Sequence, residues 1–334
     1  MRNISKLSLF LVTLLALSVW GCSEKSTDAT PEPVNEAQVL LSHLEANGDY
    51  INTSAPSVIA ASDVRTMMLS NPTKQYIIDV RAAADFTAGR IEGAKNVTIA
   101  NLLSHMKTIT PSNYDRIVIV CYSGQSAAFG ASLLRLMGYN NVFSMKFGMA
   151  SWATQFATST WKANVGNSRA NDFVSTSAAK NTAGSLPTIS TGKTSGTEIL
   201  EARVNTLLTE GFSAASITNA TLYTALSNYY IINYWSAAEY ADPGHISGAV
   251  NYIPKSELKS TVALKTLPTN KTVVVYCYTG QTSAYIAAYL KLLGYDAKSL
   301  NYGGNGMIYD KMLAKNMTTF KDADIMNYPV ITGQ

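Results

Sequence analysis

The sequence predicts an α/β protein with two similar domains, each a mainly parallel sheet covered by helices on both faces. Three observations support this: a chain of 334 residues, a long internal repeat, and short apolar runs that alternate with helical segments. At roughly 100–200 residues per domain, the length suggests two domains. Hydrophobic residues make up 47% of the chain, which is enough for packed cores.

Composition excludes several function classes. Charged residues are only 14% of the chain and no run of like charge occurs, so we expect no nucleic-acid binding. The three cysteines and three histidines form no Cys-x-x-Cys motif and no pair with ligand spacing. We therefore expect no metal site, and nothing in the sequence requires a cofactor.

The first 21 residues have the pattern of an export signal. A short basic start precedes an almost wholly apolar run, Leu7–Val19. This run is shorter than the roughly 20 residues of a membrane-spanning helix and fits a signal peptide. It ends in Gly21-Cys22, which resembles the lipobox of a bacterial lipoprotein, with Cys22 as the lipidated residue.

The lipobox resemblance implies an exported protein held in the cell envelope by a lipid anchor, with residues 22–35 as a tether. Ser23 after the cysteine favours the outer membrane. An ordinary signal peptide with an incidental Cys22 is the alternative, because Trp20 is bulky for this motif. No second long apolar run occurs, so the lipid is the only membrane contact that we expect.

An internal repeat organises the rest of the chain. Residues 117–127 (Ile-Val-Ile-Val-Cys-Tyr-Ser-Gly-Gln-Ser-Ala) match residues 273–283 (Val-Val-Val-Tyr-Cys-Tyr-Thr-Gly-Gln-Thr-Ser). Upstream, residues 89–96 match residues 244–251 at nearly the same separation. A period this long indicates duplicated domains and not a solenoid.

The repeat sets the predicted domain boundaries. We place one domain over residues 36–157 and the other over residues 198–334. Residues 158–197 between them are rich in Ser, Thr and Asn, and this composition predicts a linker, with a short packed segment at Trp161.

Each repeat alternates β and α signals. Short runs rich in Ile and Val predict buried strands over residues 76–80, 116–120, 229–234 and 272–276. Helices are predicted over Ser126–Met137 and Thr282–Leu293, each opening on a hydroxyl N-cap and ending at a glycine. This alternation implies parallel sheets.

Cys121 and Cys277 each follow a strand directly, at the edge where open parallel sheets bind ligands. The candidate substrate-binding loops behind them are Tyr122, Ser123, Gly124, Gln125 and Ser126 in the first repeat, and Tyr278, Thr279, Gly280, Gln281 and Thr282 in the second. A glycine lets each loop curl so that its N–H groups converge on the sulfur. Amides and a helix N-terminus lower a thiol pKa from about 8.5, which predicts a nucleophilic cysteine at each site.

These motifs, in this order, resemble the rhodanese family. Asp79-Val80-Arg81 and the unit of strand, Cys121, loop and helix carry the resemblance in the first repeat. Gly-His-Ile-Ser-Gly-Ala-Val-Asn over residues 244–251 carries it in the second. The resemblance covers about residues 57–152 and 215–308, and it implies two rhodanese-like domains.

The resemblance also implies a chemistry. The thiolate of Cys121 or Cys277 would attack the outer sulfur of a donor such as thiosulfate or a polysulfide. The persulfide formed would be held by loop amides and then passed to a thiol or cyanide. Asp79, Arg81 and His245 would have supporting roles.

The second repeat departs from this pattern. It has Asn233 and Trp235 where the first repeat has Asp79 and Arg81. Neither loop carries the Arg or Lys of typical two-domain thiosulfate enzymes, so the donor stays open, and the sequence does not choose between the two cysteines.

There are four alternatives to catalytic sulfur transfer. A related phosphatase would need a longer loop that ends in Arg, and neither loop has one. A disulfide between Cys121 and Cys277 is a second alternative, and an inert buried cysteine at either site is a third. The fourth is a rhodanese-like binding or persulfide-carrier module without turnover.

Overall fold

The computed structural model describes residues 35–333. The predictions for residues 1–21, for Cys22 and for most of the tether lie outside this range. The helices are α1 Glu36–Ala46, α2 Tyr50–Thr53, α3 Ala61–Ser70, α4 Ala83–Ala88, α5 Leu102–Met106, α6 Gln125–Leu136, α7 Met149–Trp152, α8 Thr154–Ala157, α9 Trp161–Asn164, α10 Gly196–Glu210, α11 Asn219–Thr224, α12 Ala237–Ala241, α13 Gln281–Leu292 and α14 Tyr309–Ala314. None of the helices in this range is long and apolar enough to cross a membrane.

Two parallel sheets form the framework. The strands are β1 Val58–Ile59, β2 Gln75–Asp79, β3 Lys95–Asn96, β4 Arg116–Val120, β5 Val142–Met145, β6 Phe173–Val174, β7 Ser216–Ile217, β8 Tyr229–Asn233, β9 His245–Ile246, β10 Val250–Asn251, β11 Thr272–Tyr276 and β12 Ala297–Leu300. The first sheet has the order β1-β5-β4-β2-β3 and the second the order β10-β8-β11-β12-β7. All neighbours in both sheets run parallel. The prediction of one parallel sheet per repeat is confirmed.

Helices α6 and α13 occupy equivalent positions in the two repeats and pack against each other. Their buried faces belong to one continuous apolar cluster, which also takes in α1 and α10. Two smaller clusters cover the outer faces of the first and second sheets. The two repeats therefore share a core, and burial of this apolar surface stabilises them jointly.

The predicted linker is packed onto the domains at a few separate points. The side chain of Trp161 is fully buried. Strand β6 pairs antiparallel with β9 of the second repeat, and Leu186 and Ile189 are buried farther along. These few apolar side chains, spaced along a polar segment, are enough to hold it against the core.

The end of the described chain returns to the first repeat, although the sequence assigned it to the second domain. Ile331 and Arg90 form an antiparallel bridge. The indole N–H of Trp152 donates to the carbonyl of Pro329 at 2.9 Å, and the ring of Tyr328 packs edge-on against this indole. Apolar and hydrogen-bonded contacts at residues far apart in sequence decide this path.

Glu36, the first residue of α1, ties this helix to the linker. Its carboxylate accepts hydrogen bonds from the Thr191 N–H at 2.7 Å, the Thr191 hydroxyl at 2.6 Å and the Gly192 N–H at 2.9 Å. Burial by itself raises the pKa of Glu36, but these hydrogen bonds outweigh it and leave the pKa below its ordinary value. The ionised form is therefore the one that the fold stabilises.

We expect Glu36→Gln to lower the free energy of unfolding by about 1–3 kcal/mol at pH 7, since hydrogen bonds to a charged group are lost. A lowered pKa contributes stability above the unfolded-state pKa of about 4.3, and this contribution is lost as the pH falls. The difference between the wild type and the variant should thus shrink at pH 3 in urea titrations. Glu92→Gln, at an exposed position, is the control. An equal difference at both pH values would contradict this role.

Candidate active site

The sulfur of Cys121 lies at the N-terminus of α6. It accepts hydrogen bonds from the Gly124 N–H at 3.1 Å and the Ala127 N–H at 3.4 Å. Because Ala127 is the third residue of the helix, the sulfur fills the acceptor position that an N-cap side chain usually takes. The predicted hydroxyl cap at Ser126 is therefore wrong, and the N-cap is Gly124 with φ 85°.

Cys277 has the corresponding position at α13, where the N-cap is Gly280 with φ 78° and not Thr282. Its sulfur accepts from the Ser283 N–H at 3.3 Å and lies 3.5 Å from the Ser283 hydroxyl. Both cysteines are buried free thiols. The disulfide alternative is therefore wrong, since each sulfur is enclosed by its own loop.

A glycine behind each loop fixes the backbone. The carbonyl of Cys121 accepts from the Met149 N–H at 2.8 Å, and a side chain at Gly148 would collide with this carbonyl. Gly303 has the same relation to the carbonyl of Cys277. Sequence reasoning missed both roles, although a glycine at nearly the same distance after each cysteine was the available signal.

A buried ion pair braces the first loop. The guanidinium of Arg81 donates to both carboxylate oxygens of Asp79, at 2.7 Å for the shortest contact, and to the carbonyl of Gly89 at 2.6 Å. The same guanidinium lies over the rings of Tyr122 and Phe156, at 4.9 and 5.1 Å from their centroids. The structure thus places both predicted supporting residues directly behind the loop that follows Cys121.

Neutral side chains take over this bracing in the second repeat. The indole of Trp235 stacks on the ring of Tyr278, with centroids 5.6 Å apart and planes 8° from parallel. The Tyr278 hydroxyl donates to Glu239 at 2.7 Å. The Asn233 amide donates to the Tyr276 hydroxyl at 2.8 Å. The duplicated positions therefore perform the same mechanical task with different chemistry.

His245 anchors the linker and does not bond to Cys277. Its ring nitrogens lie 2.8 Å from the carbonyl of Tyr240 and 3.0 Å from the carbonyl of Thr176. The imidazole also stacks on the Tyr240 ring at 3.6 Å. This side chain therefore joins β9 to the part of the linker that contains Thr176.

The two loop glutamines join the repeats. The side-chain oxygen of Gln125 accepts from the N–H of Tyr302 at 2.9 Å, and that of Gln281 accepts from the N–H of Phe147 at 2.9 Å. Both glutamines are only 3% exposed. The structure therefore gives these predicted substrate-binding side chains a reciprocal role at the interface between repeats.

The hydroxyl residues of the two loops differ in exposure. Ser123 and Ser126 are half-buried in the first loop, whereas Thr279 is buried in the second and Thr282 is half-buried. The carbonyl of Ser123 also accepts from the indole N–H of Trp161 at 3.0 Å. The first loop thus presents more polar surface to its surroundings.

A cavity of about 440 Å³ adjoins the first loop. Its lining comes from both repeats and from the chain that enters the second: Val80, Ile99, Ser123, Gln125, Ser126, Gly211, Phe212, Ser213, Ser216, Asn301 and Tyr302. These side chains are hydroxyl, amide or apolar, and no charged residue is among them. The cavity therefore offers hydrogen-bond donors and acceptors without a fixed ionic charge.

The residue that lines the cavity just after β2 has a larger counterpart in the second repeat. Val80 lines the cavity and is half-buried. Tyr234 holds the equivalent position after β8 and is 3% exposed, and its hydroxyl accepts from the Lys255 N–H at 3.1 Å. Burial raises the pKa of Tyr234 to about 12, and negative charge on Cys277 adds to this effect. The buried Tyr234 side chain thus stands where the first repeat has the smaller, half-buried side chain of Val80.

Burial dominates the electrostatics of Cys121. It raises the pKa of this thiol above its ordinary value, although hydrogen bonds from Ala127, Ser126, Gly124 and Ser123 act to lower it. The prediction that the loop gives a lowered thiol pKa is therefore wrong for this structure. The loop amides donate to the sulfur, but its removal from water raises the pKa more than these hydrogen bonds lower it.

Within residues 35–333 no group of three or more His, Cys, Asp or Glu side chains could hold a metal ion. The geometry instead defines a pair of parallel-sheet domains in which a buried cysteine follows the central strand and is enclosed by an amide-lined loop. Comparison with known proteins identifies this class. The Rhodanese-like domain profile matches residues 60–155 and 218–307. The chain belongs to this family, as a tandem pair.

Two curated relatives align with parts of the chain. The thiosulfate sulfurtransferase GlpE of Pseudoalteromonas translucida is 31% identical over 97 residues, which cover 29% of this chain and 90% of that protein. The protein of the same name from Shewanella oneidensis is 36% identical over 77 residues, or 23% of this chain and 73% of the relative. Each of these relatives therefore corresponds to one repeat at most.

Solved structures match as well. A thiosulfate sulfurtransferase from Pseudomonas aeruginosa aligns over 90% of this chain and 70% of its own, with 16% identity and a TM-score of 0.28. A rhodanese-related protein from Thermoplasma volcanium aligns over 35% of this chain and 97% of its own, with 25% identity and a TM-score of 0.26.

We expect Tyr234→Val to open a space beside Cys277 and to speed alkylation of this cysteine by iodoacetamide, followed by peptide mass spectrometry. The variant should lose about 2–4 kcal/mol of stability through the missing ring. Tyr295→Val removes a similarly buried ring at the far end of α13 and controls for general loosening. Equal alkylation of Cys277 in both variants would show that Tyr234 does not seal the site.

Proposed function

We propose that the protein is a sulfurtransferase that carries sulfane sulfur as a persulfide on Cys121. The observation that carries this proposal is the position of Cys121 under an amide-lined loop beside a cavity of about 440 Å³. Membership of the rhodanese family and the names of the relatives support a sulfurtransferase-type function in general. The residue and the substrates are our assignment.

The reaction has two displacements. The Cys121 thiolate attacks the outer sulfur of a donor such as thiosulfate, a new S–S bond forms, and sulfite leaves with the electron pair of the broken S–S bond. A thiolate or cyanide then attacks the outer sulfur, and the electron pair of the Cys121 S–S bond returns to the thiolate. The Gly124 and Ala127 amides donate to sulfur that is negatively charged at both ends of this cycle.

The asymmetry between the repeats supports Cys121 as the working cysteine. Val80 leaves a cavity on the first loop, whereas the ring of Tyr234 fills the equivalent position in the second repeat. A donor must bring its outer sulfur into line with the attacking thiolate, and this requires space. We therefore assign Cys277 a structural role as the sulfur that caps α13.

A persulfide carrier without turnover is the second candidate. Two observations favour it: burial raises the pKa of Cys121, and no charged side chain is among those that line the cavity. Such a module would accept sulfur from one partner and release it to another only on contact. Stable loading without transfer to a small acceptor distinguishes it from the enzyme.

We expect incubation with thiosulfate or polysulfide to add one sulfur atom to the full chain. The intact mass should show this gain in wild type and Cys277→Ser but not in Cys121→Ser, because the cavity adjoins the loop that follows Cys121. Cyanide should then remove the added sulfur and form thiocyanate.

Other outcomes separate the candidates. Loading that cyanide does not reverse would favour the carrier. A gain that survives in Cys121→Ser and is lost in Cys277→Ser would contradict the assignment. No gain with either donor, in a chain whose thiols are intact, would refute sulfur transfer through these cysteines.

We also propose that the chain is exported and attached to the cell envelope, on its outer membrane, by a lipid on Cys22. The basic start, the apolar run Leu7–Val19 and the Gly21-Cys22 pair support this proposal. It leaves the described domains exposed to small sulfur donors and acceptors outside the cytoplasm.

Labelled palmitate should enter the wild-type chain in bacterial cells and should not enter Cys22→Ala, which should also leave the membrane fraction. Cys121→Ala is the control, because it removes a cysteine that is buried in the fold. Palmitate in the Cys22→Ala chain would contradict a lipid at this residue.

A further inference from the structure

The cavity at the loop that follows Cys121 is lined in part by Tyr302, which belongs to the second repeat. Its ring lies in the same lining as Ser123 and Ser126 of the first loop. Sequence reasoning singled out neither this residue nor its hydroxyl. It is the only phenol among the residues that line this cavity.

A backbone angle and two contacts fix the position of Tyr302. Its backbone has φ 60°, a left-handed conformation that non-glycine residues rarely adopt. Its N–H donates to the side chain of Gln125 at 2.9 Å. Its ring packs edge-on against Trp161 with centroids 5.0 Å apart. The indole N–H of Trp161 in turn donates a hydrogen bond to the carbonyl of Ser123. The first loop and its neighbours therefore position a side chain from the other repeat.

The hydroxyl of Tyr302 is available to a ligand. It takes part in no hydrogen bond with the residues from 35 to 333, whereas the backbone N–H of the same residue is bonded. Burial raises the pKa of Tyr302, and negative charge on Cys121 raises it further. The phenol consequently keeps its proton at neutral pH and can donate a hydrogen bond to an anion beside Cys121.

We propose that Tyr302 is a catalytic residue of the first-repeat site and donates a hydrogen bond to the sulfur that is transferred. This inference rests on the proposed function. As the bond between Cys121 and the outer donor sulfur forms, the bond between this sulfur and the leaving group breaks, and the leaving group takes the electron pair. The outer sulfur keeps its negative charge, and the Tyr302 hydroxyl stabilises it without giving up its proton.

The equivalent residue of the first repeat shows that the fold does not need this hydroxyl. Phe147 also has φ 60°, and its N–H donates to Gln281 at 2.9 Å. Its ring packs edge-on against Trp161, as that of Tyr302 does. An aromatic ring is therefore sufficient for the structure at this position, and the hydroxyl is the part left for function.

The test compares Tyr302→Phe with Tyr223→Phe in the full chain. Tyr223 also carries a hydroxyl without a partner, but it is not among the residues that line the cavity. We expect Tyr302→Phe to lower kcat/KM for thiosulfate and cyanide by roughly tenfold or more, as for the loss of one donor to a reacting anion. The thermal unfolding midpoint should stay unchanged, and the control should retain wild-type rates.

A second measurement separates a hydrogen bond from packing. In the sulfur-loaded chain, the rate of alkylation of the Cys121 persulfide should rise with pH along a profile that lies at higher pH in Tyr302→Phe, because the charged outer sulfur loses a donor. Wild-type turnover in Tyr302→Phe would overturn this inference and leave the proposed function standing. If Tyr302→Phe turns over more slowly but its alkylation profile is unshifted, the residue acts through packing, and this result would also overturn the inference. Absence of turnover in the wild type would instead refute the proposed function and this inference with it.

Discussion

Two reciprocal hydrogen bonds between glutamine side chains and the opposite backbone hold the active-site loops of the two repeats together. Gln125 accepts from Tyr302, and Gln281 accepts from Phe147. The two glutamines are the first residues of α6 and α13. A cysteine sulfur caps the N-terminus of each of these helices. The bond between Gln281 and the Phe147 N–H is buried, so leaving it unmade would cost the desolvation of that N–H. The loop around each sulfur is therefore held by the opposite repeat as well as by its own.

This constraint explains how two copies of one domain could diverge without losing the fold. The interface needs the glutamines and the aromatic residues that follow the β5 and β12 strands. It does not need the ion pair behind the first loop, and the second repeat replaces Asp79 and Arg81 by Asn233 and Trp235. Nor does it need a small side chain after the second strand of each domain, where the half-buried Val80 of the first repeat is replaced by the buried Tyr234 of the second.

The environment of Cys121 makes its thiol harder to ionise. Burial raises the pKa of the thiol, and the amides of the loop act against this. The same desolvation makes every hydrogen bond to a negative sulfur stronger than it would be in water. A site of this kind is suited to stabilising a bound sulfur anion once it has formed, and the Tyr302 hydroxyl that we propose as a donor would add to this effect.

The sequence by itself determined the class of the fold, the duplication, the central strands and the two cysteines at their carboxyl ends. Those features follow from local patterns, such as runs of Ile and Val and a glycine after each helix, and each pattern is complete within about 20 residues. The tertiary structure alone decided that Ser126 is not the helix cap, that burial outweighs the loop amides at Cys121, and that the glutamines bind across the interface. It also decided that Tyr302 of the second repeat lies in the lining of the cavity at the first loop. These outcomes depend on which atoms meet in the folded chain, whether a few residues apart, as at the helix cap, or far apart in sequence, as at the glutamines, and on how much water they exclude. A pattern of residue types does not contain that information.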